Sequence, residues 1–310
     1  MIVVFGSLNA DLIFAMPDLP RPGQTLLADS LRIEPGGKGA NQAIAAARDG
    51  AQVAFAGAAG PDHLGELVLA NLIEAGVDVS RVARAGIATG CAVILTDGEA
   101  RNMIAVARGA NVAAAAAQAE DALLARRPLV LAQMEGRADE TAAFLVRASR
   151  HGCRVILNLA PAVPLDEAAL RRCSLVVVNE EEAAELAGRV GAAATAAGLR
   201  RALGIDVLRT LGAAGSEASS AAEGEIRQAA VRVRAVDTAA AGDGYIGVLA
   251  AALDRGASLR EAMVRASAAA ALACLRLGSQ SSIPWRADID AALAAEAAPQ
   301  GRGDAPGVRI

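Results

Sequence analysis

Short apolar runs recur along this chain, and helical spacing separates one from the next. The runs are Ile2–Gly6, Val53–Ala56, Leu129–Gln133, Arg154–Leu157, Leu175–Val178 and Val207–Leu211. Gly39–Arg48, Leu64–Ala75, Asp139–Arg150, Glu181–Leu186 and Thr195–Leu203 carry the helical pattern. Such alternation predicts βαβ units, hence an α/β protein whose mostly parallel sheet has helices on both faces. Ligands of such sheets sit beyond the carboxyl ends of the strands.

Three β-like pieces break the alternation, Leu26–Ile33, Cys91–Thr96 and Asn102–Ala107, and no helix separates the last two. The last two are joined by the turn-rich Asp97-Gly98-Glu99-Ala100-Arg101. They predict a small separate sheet, or a hairpin decorating the core. With 310 residues, 54% of them hydrophobic, the chain is long enough for one large α/β domain with an appendage or for two small ones. No apolar run reaches membrane-spanning length without a charge or glycine. Met1–Gly6 lacks a basic leader and reads as a buried strand rather than a signal peptide. A net charge of −4 and a pI of 5.4 argue against a broad nucleic-acid footprint. Cys91, Cys153, Cys173 and Cys274 are scattered, without metal-ligand spacing, and read as free thiols. These features suit a soluble cytoplasmic protein with no membrane or nucleic-acid partner. Residues 297–310, rich in Pro, Gly and charge, read as a disordered tail after a domain spanning 1–296. Arg302-Gly303-Asp304 in that tail reads as accidental.

Chemistry concentrates in Val236-Asp237-Thr238-Ala239-Ala240-Ala241-Gly242-Asp243-Gly244-Tyr245. A β-rich run, Ile226–Val236, enters it and an Ala/Leu-rich helical run, Ile246–Leu253, leaves it. A loop-to-helix junction directs free N–H groups and the positive end of the helix dipole outward, which suits an anion such as phosphate. Asp243 falls in the first turn. There a carboxylate ordinarily just stabilises the helix; beside an anion site it can also take a proton from an attacking hydroxyl.

Other candidates follow the strands. Asn9 and Asp11 come after the first one, either as turn formers or as an amide and carboxylate for a polyol. Gly36, Gly37 and Gly39 admit a ligand close to the backbone, with Lys38 and Asn41 as donors at a helix start. The spacing is not that of a Walker A loop, and no GxGxxG follows the first strand, which argues against a Rossmann dehydrogenase. Glu135 follows Leu129–Gln133. Asn179 and Glu182 have the spacing of a capping box, and Thr210-Leu211-Gly212-Ala213-Ala214-Gly215 is a strand-to-glycine turn.

Asp237-Thr238-Ala239-Ala240-Ala241-Gly242-Asp243, with Gly36-Gly37-Lys38-Gly39-Ala40-Asn41-Gln42-Ala43 far upstream, resembles the ribokinase (PfkB) family of carbohydrate kinases. The resemblance runs from about Gly6 to Leu293. It implies a three-layer α/β/α fold with a small β lid, at about 9–36 and 86–110, that covers a sugar and forms a homodimer. It implies ATP-dependent phosphorylation of a sugar, with D-ribose at O5 the best fit. Asp243 matches the base, with Ala241 and Gly242 in the anion hole. Asn9, Asp11, Gly37, Lys38, Asn41 and Glu135 match sugar contacts. Asn179, Thr210, Gly212, Gly215, Gly242 and Ser267 match the nucleotide site, and Glu182 matches a water-mediated Mg2+ contact. Asp237, Ala239, Ala273, Arg276, Gly278 and Ser282 match the carbonyl-rich K+ site. Ser282-Ile283-Pro284-Trp285-Arg286 also resembles the family; as the only Trp, Trp285 is otherwise a packing residue. The sequence departs from the family at Ala213, Ala214, Gly244, Ile246 and Ser267. These departures keep two alternatives open: another sugar or a nucleoside as acceptor, or a non-catalytic binding protein.

Overall fold

Successive side chains of a strand point to opposite faces, so a strand that is apolar throughout belongs between two layers. Ile2 and Val4 enter one core, and Val3 and Phe5 enter another on the opposite face. The computed structural model describes residues 1–99 and 101–297, so the tail expected at 297–310 lies outside them beyond Ala297. In chain order the first elements are β1 (Ile2–Phe5), β2 (Asn9–Ala15), β3 (Ser30–Gly36), α1 (Lys38–Arg48), β4 (Val53–Ala59), α2 (His63–Glu74), β5 (Asp78–Arg84), β6 (Gly90–Thr96) and β7 (Asn102–Ala107). Then come α3 (Asp121–Leu124), β8 (Leu129–Ala132), α4 (Ala138–Arg150), β9 (Arg154–Asn158), α5 (Glu167–Leu170), β10 (Leu175–Val178), α6 (Glu180–Val190), α7 (Ala196–Leu203) and β11 (Asp206–Thr210). The last are β12 (Ser216–Ser220), β13 (Gly224–Gln228), α8 (Ala241–Asp254), α9 (Leu259–Cys274) and α10 (Arg286–Ala297).

Nine strands form the main sheet in the order β13-β12-β11-β10-β9-β8-β1-β4-β5. From β11 to β5 all pairs are parallel, and β12 and β13 add an antiparallel edge. One core packs α1, α2, α8 and α9 on one face; the other packs α4, α6 and α7 on the opposite face. The expected three-layer α/β/α fold is thus present.

A second sheet, β3-β2-β6-β7, stands apart as expected. Two strand boundaries differ from the sequence reading. Asn9 and Asp11 are not turn formers after β1; they open β2, whose register pairs Asn9 with Gly36 and Asp11 with Glu34. The piece expected at Leu26–Ile33 begins only at Ser30, because Leu27 is 87% exposed and has no strand to pair with. Pro35 is tolerated in β3 because β3 is an edge strand. A third difference lies before α8. The run read as β through Val236 stops at Gln228, which pairs with Ser216, the first residue of β12. Beyond that point nothing remains to pair with, and residues 229–237 continue as an irregular loop.

Helix α8 is nearly all small and apolar, and most of it is buried. Gly247 lets it touch α1: a Cβ there would lie 2.3 Å from the Gln42 carbonyl oxygen. At the far end of this pair, fully buried Asp49 accepts from Arg255 Nη2 (2.6 Å) on the α8 side and from Arg265 Nε (2.9 Å) in α9.

Candidate active site

The carboxyl ends of β1, β8, β9, β10 and β11 share one edge of the sheet, and α1 and α8 begin there. Around this edge the fold gathers the residues predicted from sequence. Asp243 lies in the first turn of α8, as expected, and not alone. Its Oδ2 accepts from Asn41 Nδ2 (2.9 Å) and its Oδ1 from Gln42 Nε2 (2.9 Å). Asn41 is held in turn by Gln280, which donates to Asn41 Oδ1 at 3.0 Å.

No side chain caps α8. Ala240 precedes it in the left-handed region (φ 54°), a conformation that costs a non-glycine residue about 1 kcal/mol. This turn leaves the N–H groups of Gly242 and Asp243 without a backbone partner among the described residues, while Ala241 N–H donates to the Thr238 carbonyl at 3.3 Å. Donors at a helix start, with the dipole behind them, form an anion cradle. A pocket of about 170 Å3 opens on it, lined by Lys38, Asn179, Glu182, Thr210, Gly242 and Asp243. Thr210 and Gly242 also line a larger, mainly apolar cleft of about 660 Å3. Gly212, Gly215, Ala241 and Ser267 contribute to it, as do Ala230, Val231 and Val233 of the irregular loop. The Ser267 hydroxyl donates to the Ala229 carbonyl (3.3 Å), so it secures that loop.

A set of polar side chains gathers around the starts of α1 and β2. Glu135 Oε2 accepts from Ser7 Oγ and from the Lys38 backbone N–H (2.9 Å). Asn9 is buried; its Oδ1 accepts from Asn111 Nδ2 (2.8 Å), and Asn111 also bonds the backbone of Leu8. Gly37 has φ +90°, and a Cβ there would lie 2.7 Å from the Asn9 backbone nitrogen, so only glycine fits between α1 and β2. Lys38 is the cation among these acids. Asp243 above all, then Glu135, Glu182 and Asp11, hold its ammonium above the usual lysine range despite burial. Burial pushes Asp11 up to about 7, helped by the negative charges of Glu135, Glu34 and Asp243 and opposed by Lys38.

This shift has a consequence for stability. Asp11 has a folded value of about 7 against 3.8 unfolded, so between those pH values the unfolded chain has released a proton that the native state retains. The burial cost of Asp11 therefore grows as pH rises from about 4 to 7. Asp11→Asn is expected to raise unfolding stability at pH 8 by about 1–3 kcal/mol and to change it little at pH 4. Urea unfolding of both proteins at the two pH values checks this; equal curves at pH 8 would mean that Asp11 is not penalised by burial.

Asn179 and Glu182 form the expected capping box, with both reciprocal bonds at 2.8 Å. Burial raises the Glu182 carboxyl above its usual range, and Glu182 lines the small pocket all the same. The remaining predicted ligands lie in adjoining loops and, for Ala273, at the end of α9. Asp237 Oδ1 accepts from Ala239 N–H (2.9 Å) and its Oδ2 from Gly278 N–H (3.0 Å). Asp237 N–H donates to the Cys274 carbonyl (3.3 Å), Arg276 N–H to the Ala273 carbonyl (3.2 Å), and Ser282 Oγ to the Ser279 carbonyl (2.8 Å). Among the described residues no group of three or more His, Cys, Asp or Glu could hold a metal. Ser7, Gln42, Asn111, Gln133 and Asn158 were not foreseen; their roles arise from long-range pairing that carries no local signal.

The model of the pfkB family carbohydrate kinases matches residues 1–286. The chain belongs to the pfkB family of carbohydrate kinases. A curated relative, ribokinase of Haemophilus influenzae, is 36% identical over 293 residues, 92% of this chain and 95% of that one. Ribokinase of Mus musculus is 33% identical, with 94% of each chain covered. Among solved structures, ribokinase of Thermotoga maritima superposes with a TM-score of 0.85 at 30% identity, covering 94% of this chain and 98% of that one. Ribokinase of Arabidopsis thaliana, complexed with ribose and ATP, gives a TM-score of 0.84 at 29% identity, covering 94% of this chain and 97% of that one. As a pfkB family carbohydrate kinase, this protein is a phosphotransferase with an alcohol group as acceptor.

Proposed function

We propose that this carbohydrate kinase uses ATP to phosphorylate D-ribose at O5, giving ribose 5-phosphate and ADP. The observation that carries the reading is the position of Asp243, which touches Asn41 and Gln42 at the start of α1 and lines a small pocket that shares Thr210 and Gly242 with the large cleft. The names of the relatives, and the ribose and ATP bound by one of them, support it.

Sugar hydroxyls would be held by Asn9, Asp11, Gly37, Lys38, Asn41 and Glu135. The nucleotide would lie along Asn179, Thr210, Gly212, Gly215, Gly242 and Ser267. Asp243 takes the proton of the attacking hydroxyl as its oxygen bonds to the γ-phosphorus, and the bond to the bridging oxygen of ADP breaks. The N–H groups of Gly242 and Asp243, with Ala241 beside them, and the Lys38 ammonium stabilise charge on the transferring phosphoryl group. The lid excludes water from the reacting centre.

Glu182 faces the phosphate pocket across from Lys38 and in company with Asp243, and its carboxylate suits Mg2+ held through water and phosphate oxygens. The ion would neutralise phosphate charge. The loops of Asp237, Ala239, Ala273, Arg276, Gly278 and Ser282 supply hard oxygens that fit K+. Residues 1–296 act as one kinase domain, with lid segments at about 9–36 and 86–110. Half-exposed Leu31, Ile33, Met103 and Ile104 on the lid edges suit a homodimer formed through the lid. No helix among the described residues is long and apolar enough to cross a membrane, and we place the activity in the cytoplasm.

A second reading, another sugar or a nucleoside as acceptor, has one observation in its favour. Gly244 has open space beside it, and Ile246 puts an apolar side chain into the small pocket next to Asp243. ADP release from Mg-ATP, measured with pentoses, hexoses and nucleosides, with and without K+, decides between them. Turnover fastest on ribose is the expected result. Turnover on another acceptor alone moves specificity to Gly244 and Ile246, and sugar binding without ADP formation rejects the kinase reading.

A further inference from the structure

Asp243 is gripped by two consecutive residues of α1, and one of them, Gln42, belongs to a buried chain of amides. Gln42 is fully buried. Its Nε2 donates to Asp243 Oδ1 (2.9 Å) and to Asn158 Oδ1 (3.0 Å), and its Oε1 accepts from Gln133 Nε2 (2.6 Å). Asn158 is oriented in turn, because its Nδ2 donates to the Val177 carbonyl at 3.3 Å. The amide of Gln42 thus has one orientation that fits: oxygen toward Gln133, N–H groups toward the two acceptors. A flipped amide would set its oxygen against a carboxylate and a second carbonyl, leaving three buried groups unmatched.

We infer that Gln42 is a positioning residue for phosphoryl transfer, aiming the Asp243 carboxylate at the acceptor hydroxyl. The inference rests on Asp243 being the base. Each carboxylate oxygen has one lone pair committed to an α1 amide and another left for the proton it receives. Two donors from adjacent residues fix the plane of the carboxylate, which a single donor would leave free to rotate. Gln133 directly follows β8 and Asn158 ends β9, so the aim of Asp243 is set by the sheet. The charged groups near Asp243 are Lys38, Asp11 and Glu182, while the hydrogen bonds to its carboxylate come from Asn41 and Gln42.

The test compares Gln42→Met, Gln42→Glu, Gln133→Met and Asp243→Asn in the full chain, using ribose, Mg-ATP and circular dichroism as a check of folding. Gln42→Met is expected to lower kcat about 10- to 100-fold with both KM values within about threefold. Gln133→Met, which does not touch Asp243, should lose kcat in the same direction but less, about 3- to 10-fold. Gln42→Glu sets two carboxylates face to face and should move the acid limb of the kcat profile upward by about one pH unit or more. A purely structural role would lower stability without this shift. If Gln42→Met does not fold, the isosteric Gln42→Glu and Gln133→Met carry the test. Folded Gln42 and Gln133 variants with wild-type kcat and pH profile would overturn the inference. Asp243→Asn separates the two readings: inactive beside normal Gln42 variants, it leaves the base and removes Gln42; active, it removes the base itself.

Discussion

Asp243→Asn is expected to lower kcat by about 10²- to 10⁴-fold, the usual contribution of a general base. The KM values for sugar and nucleotide should stay within about threefold, because in the proposed site Asp243 would be one polar contact among several on the sugar and none on the base of the nucleotide. The amide keeps the shape of the carboxylate but not its basicity. It also converts one acceptor into a donor that faces Asn41 or Gln42, both of which already donate there. Some loss of stability is therefore expected together with the loss of rate. Circular dichroism and ligand titration separate the effects: a folded, ligand-binding variant without ADP formation is the expected outcome. Turnover within tenfold of the native protein would show that the proton leaves by another route.

The second large effect concerns the contact that brings α1 against α8. Gly247→Ala would put a Cβ 2.3 Å from the Gln42 carbonyl oxygen, 2.5 Å from the Ala45 Cβ and 3.0 Å from the Ala46 nitrogen. All three belong to one buried helix, so the helices must move apart. Overpacking of this kind costs about 1–3 kcal/mol. The displacement also draws Asn41 and Gln42 away from Asp243, and a shift near 1 Å can cost about 10²-fold in rate. Gly188→Ala in α6 is the control, because nothing lies within 4 Å of its added Cβ. That change should stabilise by about 0.5–1 kcal/mol through helix propensity alone. Urea unfolding and kcat for both variants check the pair. Equal stability for the two would mean that the α1–α8 contact yields without strain.

The parallel core was legible because strands buried on both faces are apolar throughout; β10 matches its expected span of Leu175–Val178, and β9 and β11 differ by about one residue. Strands without that signal were missed. β2 opens with Asn9-Ala10-Asp11 and serves a site as well as a sheet. β5, Asp78–Arg84, is an edge strand with polar residues along it. The run toward Val236 misled for a different reason: its apolar residues line the large cleft, and composition does not distinguish a cleft wall from a strand. At the site, Asp243, Lys38 and Glu135 stood out by charge and position. The amides did not, since Gln42 finds Asn158 and Gln133 across 116 and 91 residues, and nothing local announces such pairing.

Asp49 adds one more consequence. It fastens the far end of α1 to Arg255 and Arg265, while Asn41 and Gln42 fasten the near end to Asp243. A pair of helices pinned at both ends cannot pivot. Deuterium uptake should therefore divide the molecule: amides of α1 and α8 exchange only when the whole domain unfolds, and those of β3 and β7 exchange through local opening. The base and its amide clamp would stay rigid while the sheet above them opens and closes, so substrate entry need not disturb the aim of the carboxylate.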